Sequence, residues 1–174
     1  ALYGIDKYEG EVILNGKPIH NRCVPDALDN HIVLVPEDRK KYGLITSLDV
    51  KFNLTLAVLK QFITGCHVNK KRESEIIDEY SRKLSIKMSG PGQICAGLSG
   101  GNQQKVVISK WLALNPEVII MDEPTRGIDV GAKDEIYDLI LRLAREGISV
   151  ILISSELPEI LKLSSRIAVM YEGH

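Results

Sequence analysis

The chain has 174 residues, of which 44% are hydrophobic, and this is enough for a buried core in one domain with a smaller lobe. Its 22 basic and 23 acidic residues leave a formal net charge of −1, which disfavours a surface built for nucleic acid or anionic lipid. No apolar run approaches the ~18 residues that cross a bilayer, and no signal-peptide pattern is found. Cys23, Cys66 and Cys95 lack metal or redox spacing, which is typical of a reducing compartment.

The first part of the chain predicts a β-hairpin and then a buried strand. The hairpin is expected over Glu11–Ile19, because Asn15-Gly16 supplies the positive φ values that a tight two-residue turn needs. The strand is His31–Val35, a continuous apolar run ended by Pro36. Such a run is typical of a strand buried on both faces.

A helical pattern follows this strand. Leu48–Phe62 is rich in Leu, Val and Ala, and Ser89–Gly92 later breaks the chain. Between them, helical spacing relates Ile76, Ile77, Tyr80 and Leu84. We therefore predict a helical subdomain over residues 46–97, inserted into a sheet core made of residues 1–45 and 98–174.

Strands and helices alternate in the last part of the chain. A helix is expected to begin after Ser99 and to end at Asn115-Pro116. The later predicted elements are a strand at Val118–Met121, a helix at Lys133–Arg145 with Gly147 beyond its end, a strand at Val150–Ser154, a short helix at Pro158–Leu163 and a strand at Ile167–Met170. This order predicts an α/β fold, with a largely parallel sheet flanked by helices.

The segment Leu98–Lys105, with the sequence LSGGNQQK, places a serine–glycine turn at the start of a helix. Free backbone N–H groups, the helix dipole and the Ser99 hydroxyl suit a phosphate group, and glycines let the main chain approach it closely. The alternative is an ordinary N-cap by Ser99, with the glycines as loop residues.

Two adjacent carboxylates, Asp122 and Glu123, follow the apolar strand Val118–Met121 and precede Pro124. Open α/β sheets bind ligands at the carboxyl ends of their strands. A carboxylate there can hold Mg²⁺, and a second can orient water. An isolated Asp-Glu pair would more often be part of a turn, but the apolar strand before it favours a site for nucleotide hydrolysis.

At these residues the chain resembles the ATP-binding cassette (ABC) family. LSGGNQQK resembles the family's signature motif, and VIIMDEP resembles its Walker B strand. The resemblance implies a P-loop NTPase-like fold, ATP and Mg²⁺ as cofactors, Asp122 as metal ligand and Glu123 as the catalytic residue that polarises water. It also implies nucleotide contacts at Ser99, Gly100, Gly101, Asn102, Asp129, Glu37 and Ser155.

The phosphate-binding loop G-x-x-x-x-G-K-[ST] is not found in this sequence. In the family that loop lies upstream of a segment like Ala1–Gly4. We therefore expect a fragment that starts just after the loop and is inactive by itself.

Three positions bear on how such a site would work. Gly127-Ile128-Asp129 resembles the D-loop, which lines the interface between two cassettes, although Asp129 can equally cap the following helix. Glu37 stands where most cassettes carry a glutamine, and Ser155 where most carry a histidine. Serine cannot replace a charged imidazole beside a phosphate, so the resemblance implies weak hydrolysis at this half's own site.

The finer resemblance is to the C-terminal cassette of bacterial monosaccharide importers. It rests on LSGGNQQK, Glu37–Lys40, Thr125–Gly131 and Ile153–Glu159, and it extends to Gly173. It implies a transmembrane permease docked near Glu37 and Thr46–Lys60, a second cassette on the same polypeptide, an indirect periplasmic sugar-binding partner and no nucleic acid. The expected location is the cytoplasmic face of the bacterial inner membrane. The alternatives are a cassette ATPase acting on ribosomes or DNA, and a regulatory cassette that hydrolyses little.

Overall fold

The computed structural model describes residues 1–65 and 67–171, so that Cys66, Gly173 and His174 lie outside the described residues. The strands are β1 (Val12–Leu14), β2 (Lys17–Ile19), β3 (Ile32–Val35), β4 (Ile63–Thr64), β5 (His67–Val68), β6 (Val118–Asp122) and β7 (Ser149–Ile153). The α-helices are α1 (Val24–Asp29), α2 (Val50–Thr55), α3 (Lys70–Lys83), α4 (Gly100–Leu112), α5 (Val130–Arg145) and α6 (Leu157–Leu163). Shorter helical turns cover Arg39–Gly43, Leu56–Gln61 and Cys95–Gly97.

The predicted hairpin is confirmed. β1 and β2 pair antiparallel, with Leu14 opposite Lys17 at the closed end. Asn15 and Gly16 have φ values of 51° and 75°. A two-residue turn with two positive φ values follows the right-handed twist of the strands.

The predicted parallel sheet is also confirmed, and β6 is its central strand. β3, β6 and β7 are adjacent in that order, and both pairings are parallel. Val118–Met121 is buried throughout, because β6 has a strand on each side and helices pack on the sheet. Burial on both faces explains why this strand is a continuous apolar run in the sequence.

The strand predicted at Ile167–Met170 is wrong. These residues adopt no strand, and Ile167 and Met170 are 47% and 70% exposed. An apolar run favours an extended chain, but a strand also needs a neighbour for its backbone hydrogen bonds. Within residues 1–65 and 67–171, β7 pairs only with β6, and no strand lies beside residues 167–170.

α4 packs against helices α2, α3 and α5 and against the parallel sheet. It contacts α2 and α3 on one side and β3 and α5 on the other, and most of its residues are buried. It begins after Ser99, as predicted, and the chain leaves it through Asn115, whose φ is 51°. Because neighbours cover it on several sides, its buried residues include polar ones, namely Gln103, Gln104, Lys105, Ser109 and Lys110.

The helical lobe differs in detail from the predicted pattern. The stretch Leu48–Phe62 is divided between α2 and a 3₁₀ turn with a kink at Val58, and the small hairpin β4–β5 follows. Asp49 and Asn69 cap α2 and α3 by accepting hydrogen bonds from backbone N–H groups. In the part of the chain that the structure describes, no helix is long and apolar enough to cross a membrane.

α5 confirms the predicted amphipathic helix. Its buried stripe consists of Ile136, Leu139, Ile140 and Leu143. Gly147, just beyond its end, has a φ of 96° and donates to the Ala144 carbonyl. A glycine at this position relieves the steric cost of a left-handed residue after the helix.

Lys110 is a buried cation on α4. Its side chain donates from Nζ to the Gly43 carbonyl oxygen at 2.6 Å, and Nζ lies 4.8 Å from the centre of the Trp111 ring. Burial lowers the pKa of Lys110 to about 8. The folded state therefore binds fewer protons than the unfolded state between about pH 8 and about pH 10.4. Because of this group, the free energy of unfolding increases as the pH rises through that range.

We expect Lys110→Met to remove that gain. Wild type should gain about 2 kcal/mol of unfolding free energy over the variant between about pH 7.5 and about pH 10. Burial raises the pKa of Cys95 to about 11, which acts in the opposite direction but equally in both proteins. Urea unfolding across this range measures the difference, and parallel curves for the two proteins would exclude Lys110 as the titrating group.

Candidate functional site

The candidate site lies at the carboxyl edge of the parallel sheet. β3 ends at Val35, β6 at Asp122 and β7 at Ile153, and the register aligns the last two residues directly. Parallel strands bring their following loops to one edge, so Glu37, Glu123 and Ser155 belong to neighbouring loops. This edge is where open α/β sheets bind their ligands.

Glu123 is held in an unusual backbone conformation. Its φ is 44°, in the left-handed region that non-glycine residues rarely adopt. Its N–H donates to the Ile153 carbonyl at 2.9 Å, and its Oε1 accepts from the Ser155 N–H at 2.7 Å. The loop after β7 therefore fixes both the backbone and the carboxylate of Glu123.

Asp122 is half-buried at the end of β6. Burial raises the pKa of its carboxyl group, and the charge of Glu123 raises it further. Among residues 1–65 and 67–171, no side chain donates a hydrogen bond to this carboxylate and no cation pairs with it. A free carboxylate beside a second one fits a divalent cation, and Mg²⁺ commonly takes one or two protein carboxylates together with substrate phosphates.

A buried carboxylate, Glu159, joins the loops that follow β6 and β7. It is 1% exposed, and its Oε1 accepts from the Thr125 hydroxyl at 3.0 Å. Its Oε2 accepts from the Ser154 hydroxyl. Glu159 was not among the site residues predicted from the sequence, because a glutamate on a short helix gives no sign that its partners follow the ends of β6 and β7.

The Ser99 turn forms an N-cap at the start of α4. Ser99 is exposed, and its Oγ accepts from the Asn102 backbone N–H at 3.4 Å and from its side-chain amide at 2.9 Å. Asn102 also accepts from the Lys87 N–H at 2.8 Å, so its side chain is already engaged within the protein. The N-cap is thus present, and it leaves other N–H groups of the first turn without helical partners.

The glycines of this turn are closely packed against neighbouring segments. A Cβ atom on Gly100 would lie 2.9 Å from Arg39 Nη2 and 3.0 Å from the Gly127 carbonyl oxygen. A Cβ atom on Gly101 would lie 3.1 Å from Ala132 Cβ on α5. The protein's own packing therefore gives a reason for these glycines besides the predicted approach of a phosphate.

Glu37 and Asp129 occupy two further expected positions. Glu37 is exposed and forms an ion pair with Arg126, so its carboxylate is not isolated. Asp129 occupies the N-cap position of α5, but its side chain makes no capping hydrogen bond. It is exposed and free to contact another molecule.

The predicted site residues fall into two groups. Asp122, Glu123, Ser155 and Glu37 follow the strands at the sheet edge. Ser99, Gly100, Gly101, Asn102 and Asp129 lie at the N-termini of α4 and α5, which meet through Gly101 and Ala132. No cluster of three or more His, Cys, Asp or Glu side chains that could hold a metal ion is found among the described residues.

Curated relatives resemble the chain over almost its whole length. It is 52% identical over 171 residues to the xylose import ATP-binding protein XylG of Histophilus somni, covering 97% of this chain and 34% of that protein. It is 46% identical over 174 residues to the ribose import ATP-binding protein RbsA of Geobacillus kaustophilus, covering 99% of this chain and 35% of that protein. The chain thus spans about a third of the length of these relatives.

Solved structures share the fold. A nucleotide-free ATP-binding cassette from an ABC transporter superposes with a TM-score of 0.77 at 22% identity, covering 93% of this chain and 66% of that chain. A cassette in an ADP conformation gives a TM-score of 0.76, also at 22% identity, with the same coverage. The sequence profile of the ABC transporter family matches residues 1–126, which is more than half of the chain. The parallel sheet, the Ser99 turn and the Asp122-Glu123 pair therefore stand in a protein that belongs to the ABC transporter family.

Proposed function

We propose that the chain is part of the second cassette of an ATPase that energises monosaccharide import. The observation that carries this proposal is the Asp122-Glu123 pair at the sheet edge, with the Glu123 carboxylate fixed by the Ser155 N–H. The named functions of the relatives, ribose import and xylose import, support the solute class. ATP hydrolysis and sugar uptake belong to the proposal for the whole polypeptide.

Each group of site residues has its own role in this proposal. Asp122 holds Mg²⁺, which neutralises phosphate charge when bound. Glu123 polarises the attacking water, and its hydrogen bond from Ser155 keeps the carboxylate oriented. The signature turn, with Ser99, Gly100, Gly101 and Asn102, and the exposed Asp129 contact nucleotide carried by a second cassette.

We place the permease contact on the exposed apolar side chains of the helical lobe. Ile45, Leu48, Phe52 and Ile94 are 36–47% exposed, and they lie on the segments around α2. Asp49, between Leu48 and α2, forms an isolated antiparallel β-bridge with Ile94, which brings the two segments together. An exposed apolar patch next to the loop after β3 suits a partner segment from a transmembrane subunit. The same proposal places the chain at the cytoplasmic face of the membrane, with a periplasmic sugar-binding protein as an indirect partner.

A hydrolysis-poor, regulatory cassette is the second candidate. It is favoured by Ser155, which contributes only a backbone N–H to the site, and by Glu37, whose carboxylate is paired with Arg126. In this version the signature turn serves a competent site that is completed by the other cassette. Action on ribosomes or DNA gains no support from relatives that are named as import proteins.

Glu123→Gln in the intact ATPase tests the asymmetry. Glutamine can keep the hydrogen bond from Ser155 but loses the negative charge that polarises water. We expect a smaller loss of ATPase activity than the matching change causes in the other cassette, because Ser155 already weakens this site. Glu79→Gln, on the exposed face of α3, is the control. Equal losses from the two catalytic-position changes would contradict the asymmetry.

Ser99→Arg tests the signature turn. The long cationic side chain occupies the space into which a phosphate must approach, and we expect import by the intact protein to fall at least about tenfold. Losing the cap costs about 1 kcal/mol of stability, so urea unfolding must accompany the transport assay. Ser99→Thr keeps a capping hydroxyl and should retain most activity. Undiminished transport by a folded Ser99→Arg protein would remove the turn from the nucleotide site.

Titration with Mg-ATP tests whether this chain binds nucleotide without a phosphate-binding loop. We expect the purified 174-residue chain to show no micromolar binding by calorimetry. Its sequence does not include the loop whose lysine and backbone N–H groups surround the β- and γ-phosphates, and Asp122 and Glu123 alone repel a polyanion. Micromolar affinity would show that the described residues hold nucleotide without that loop.

A further inference from the structure

Arg39 connects three separate segments of the chain. It opens the π-helical turn after β3, and its side chain lies in a buried position that is 9% exposed. Its Nη1 donates to the Arg126 carbonyl oxygen at 2.6 Å and its Nη2 to the Gly127 carbonyl oxygen at 2.9 Å. Its Nε donates to Gln103 Oε1 on α4 at 3.4 Å.

The surroundings hold this guanidinium in place. Gln103 is 4% exposed and donates its amide nitrogen to the Cys95 carbonyl at 3.0 Å, which turns its oxygen towards Arg39. Gly100 leaves the space above Arg39 Nη2, where a Cβ atom would approach to 2.9 Å. The turn of α4 and the loop at Gly127 are therefore packed on either side of one side chain.

Burial of this charged guanidinium is electrostatically unfavourable. Among the described residues, no carboxylate forms an ion pair with Arg39, and its acceptors are two carbonyls and one amide oxygen. Burial lowers the pKa of Arg39, and the neighbouring Asp38 opposes that effect. A buried cation is tolerated only where its donors are matched, and the planar fork of arginine matches two consecutive carbonyls as lysine cannot.

A second contact joins the same two loops. The Glu37 carboxylate pairs with the Arg126 side chain, while the Arg126 main chain accepts from Arg39. Residues 37–39 and 126–127 are thus linked through both side chains and backbone. Neither contact was predicted from the sequence, where Glu37 was expected to contact nucleotide and Arg39 was noted only as part of a motif.

We propose that Arg39 is a positioning residue that locks the loop 126–129 to the Ser99 turn. The two surfaces proposed to face a second cassette then move as one unit with the segment after β3, which lies next to the proposed permease contact. Arg39 touches no reacting atom and acts through the Gly127 carbonyl and Gln103. This role in cassette closure rests on the function proposed above, whereas the structural lock is a property of the chain itself.

Hydrogen exchange of the 174-residue chain tests the lock without nucleotide. The Arg126 and Ile128 amides donate to the Glu123 and Thr125 carbonyls, so they report on the loop. We expect Arg39→Gln to speed their exchange at least about tenfold, with the Ile120 amide in β6 unchanged. Lys40→Gln removes an exposed positive charge one residue away and should change neither site.

Two further variants separate geometry from charge and guard against misfolding. Arg39→Lys keeps the charge but loses the fork, and we expect exchange at Arg126 and Ile128 as fast as in Arg39→Gln. Gln103→Leu leaves Arg39 in place but removes the oxygen that accepts from its Nε, and should speed the same two amides even if the Arg39 variants unfold in urea titration. The proposal would be overturned if the Arg126 and Ile128 amides of folded Arg39→Gln exchanged as slowly as in wild type. It would also be overturned if they exchanged as slowly as in wild type in Arg39→Lys.

ATPase assays of the intact protein test the link to closure. Arg39→Gln and Arg39→Lys should lower the nucleotide-dependent rate by similar factors, about tenfold, while Lys71→Gln, which removes an exposed positive charge on α3, leaves it unchanged. Faster loop exchange with an unchanged ATPase rate would overturn the role in closure. A wild-type protein that hydrolyses no ATP would instead refute the proposed function and leave the exchange result standing.

Discussion

The parallel pairing of β6 with both β3 and β7 is the constraint on which the candidate site depends. Parallel strands end on the same edge, so three loops that are distant in sequence lie side by side. Burial of Val118–Met121 stabilises the central strand, and the observed register places Asp122 beside Ile153 at the end of β7. The position of Asp122 and the strained conformation of Glu123 follow from this register.

α4 connects the parallel sheet with the helices α2 and α3 by packing against both. Its buried length packs against β3 and α5 on one side and against α2 and α3 on the other. Its N-terminus carries the Ser99 turn, where the absence of side chains at Gly100 and Gly101 lets Arg39 and Ala132 approach. The same glycines that suggest phosphate binding in the sequence therefore also allow neighbouring segments to pack closely.

Polar side chains stabilise the loops at the sheet edge by forming hydrogen bonds and an ion pair with one another and with the backbone. Glu159 accepts hydrogen bonds from two hydroxyl groups, Glu37 pairs with Arg126, and Arg39 donates to three oxygens. Except for the Ser154 hydroxyl, which lies five residues before Glu159, each partner is far away in the chain, and these pairs tie the loops to each other. Asp122 stands apart, because its carboxylate has no such donor among the described residues.

The sequence by itself determined the elements that depend on local chemistry. Asn15-Gly16 specified its turn, the apolar stripe specified the face of α5, and the order of strands and helices specified a parallel sheet. The motifs located the two groups of candidate residues, although their roles remain proposals. The division into a sheet core and a subdomain over residues 46–97 also remains a prediction.

Only the tertiary structure decided the features that need a partner distant in the chain. Ile167–Met170 has a strand-like pattern but no neighbouring strand, so it does not become one. Glu159 and Arg39 look like ordinary charged residues until the fold brings hydroxyl groups to one and carbonyl groups to the other. Hydrogen bonds between distant segments leave no periodic trace in a sequence, because their geometry is set by packing and not by local backbone preference.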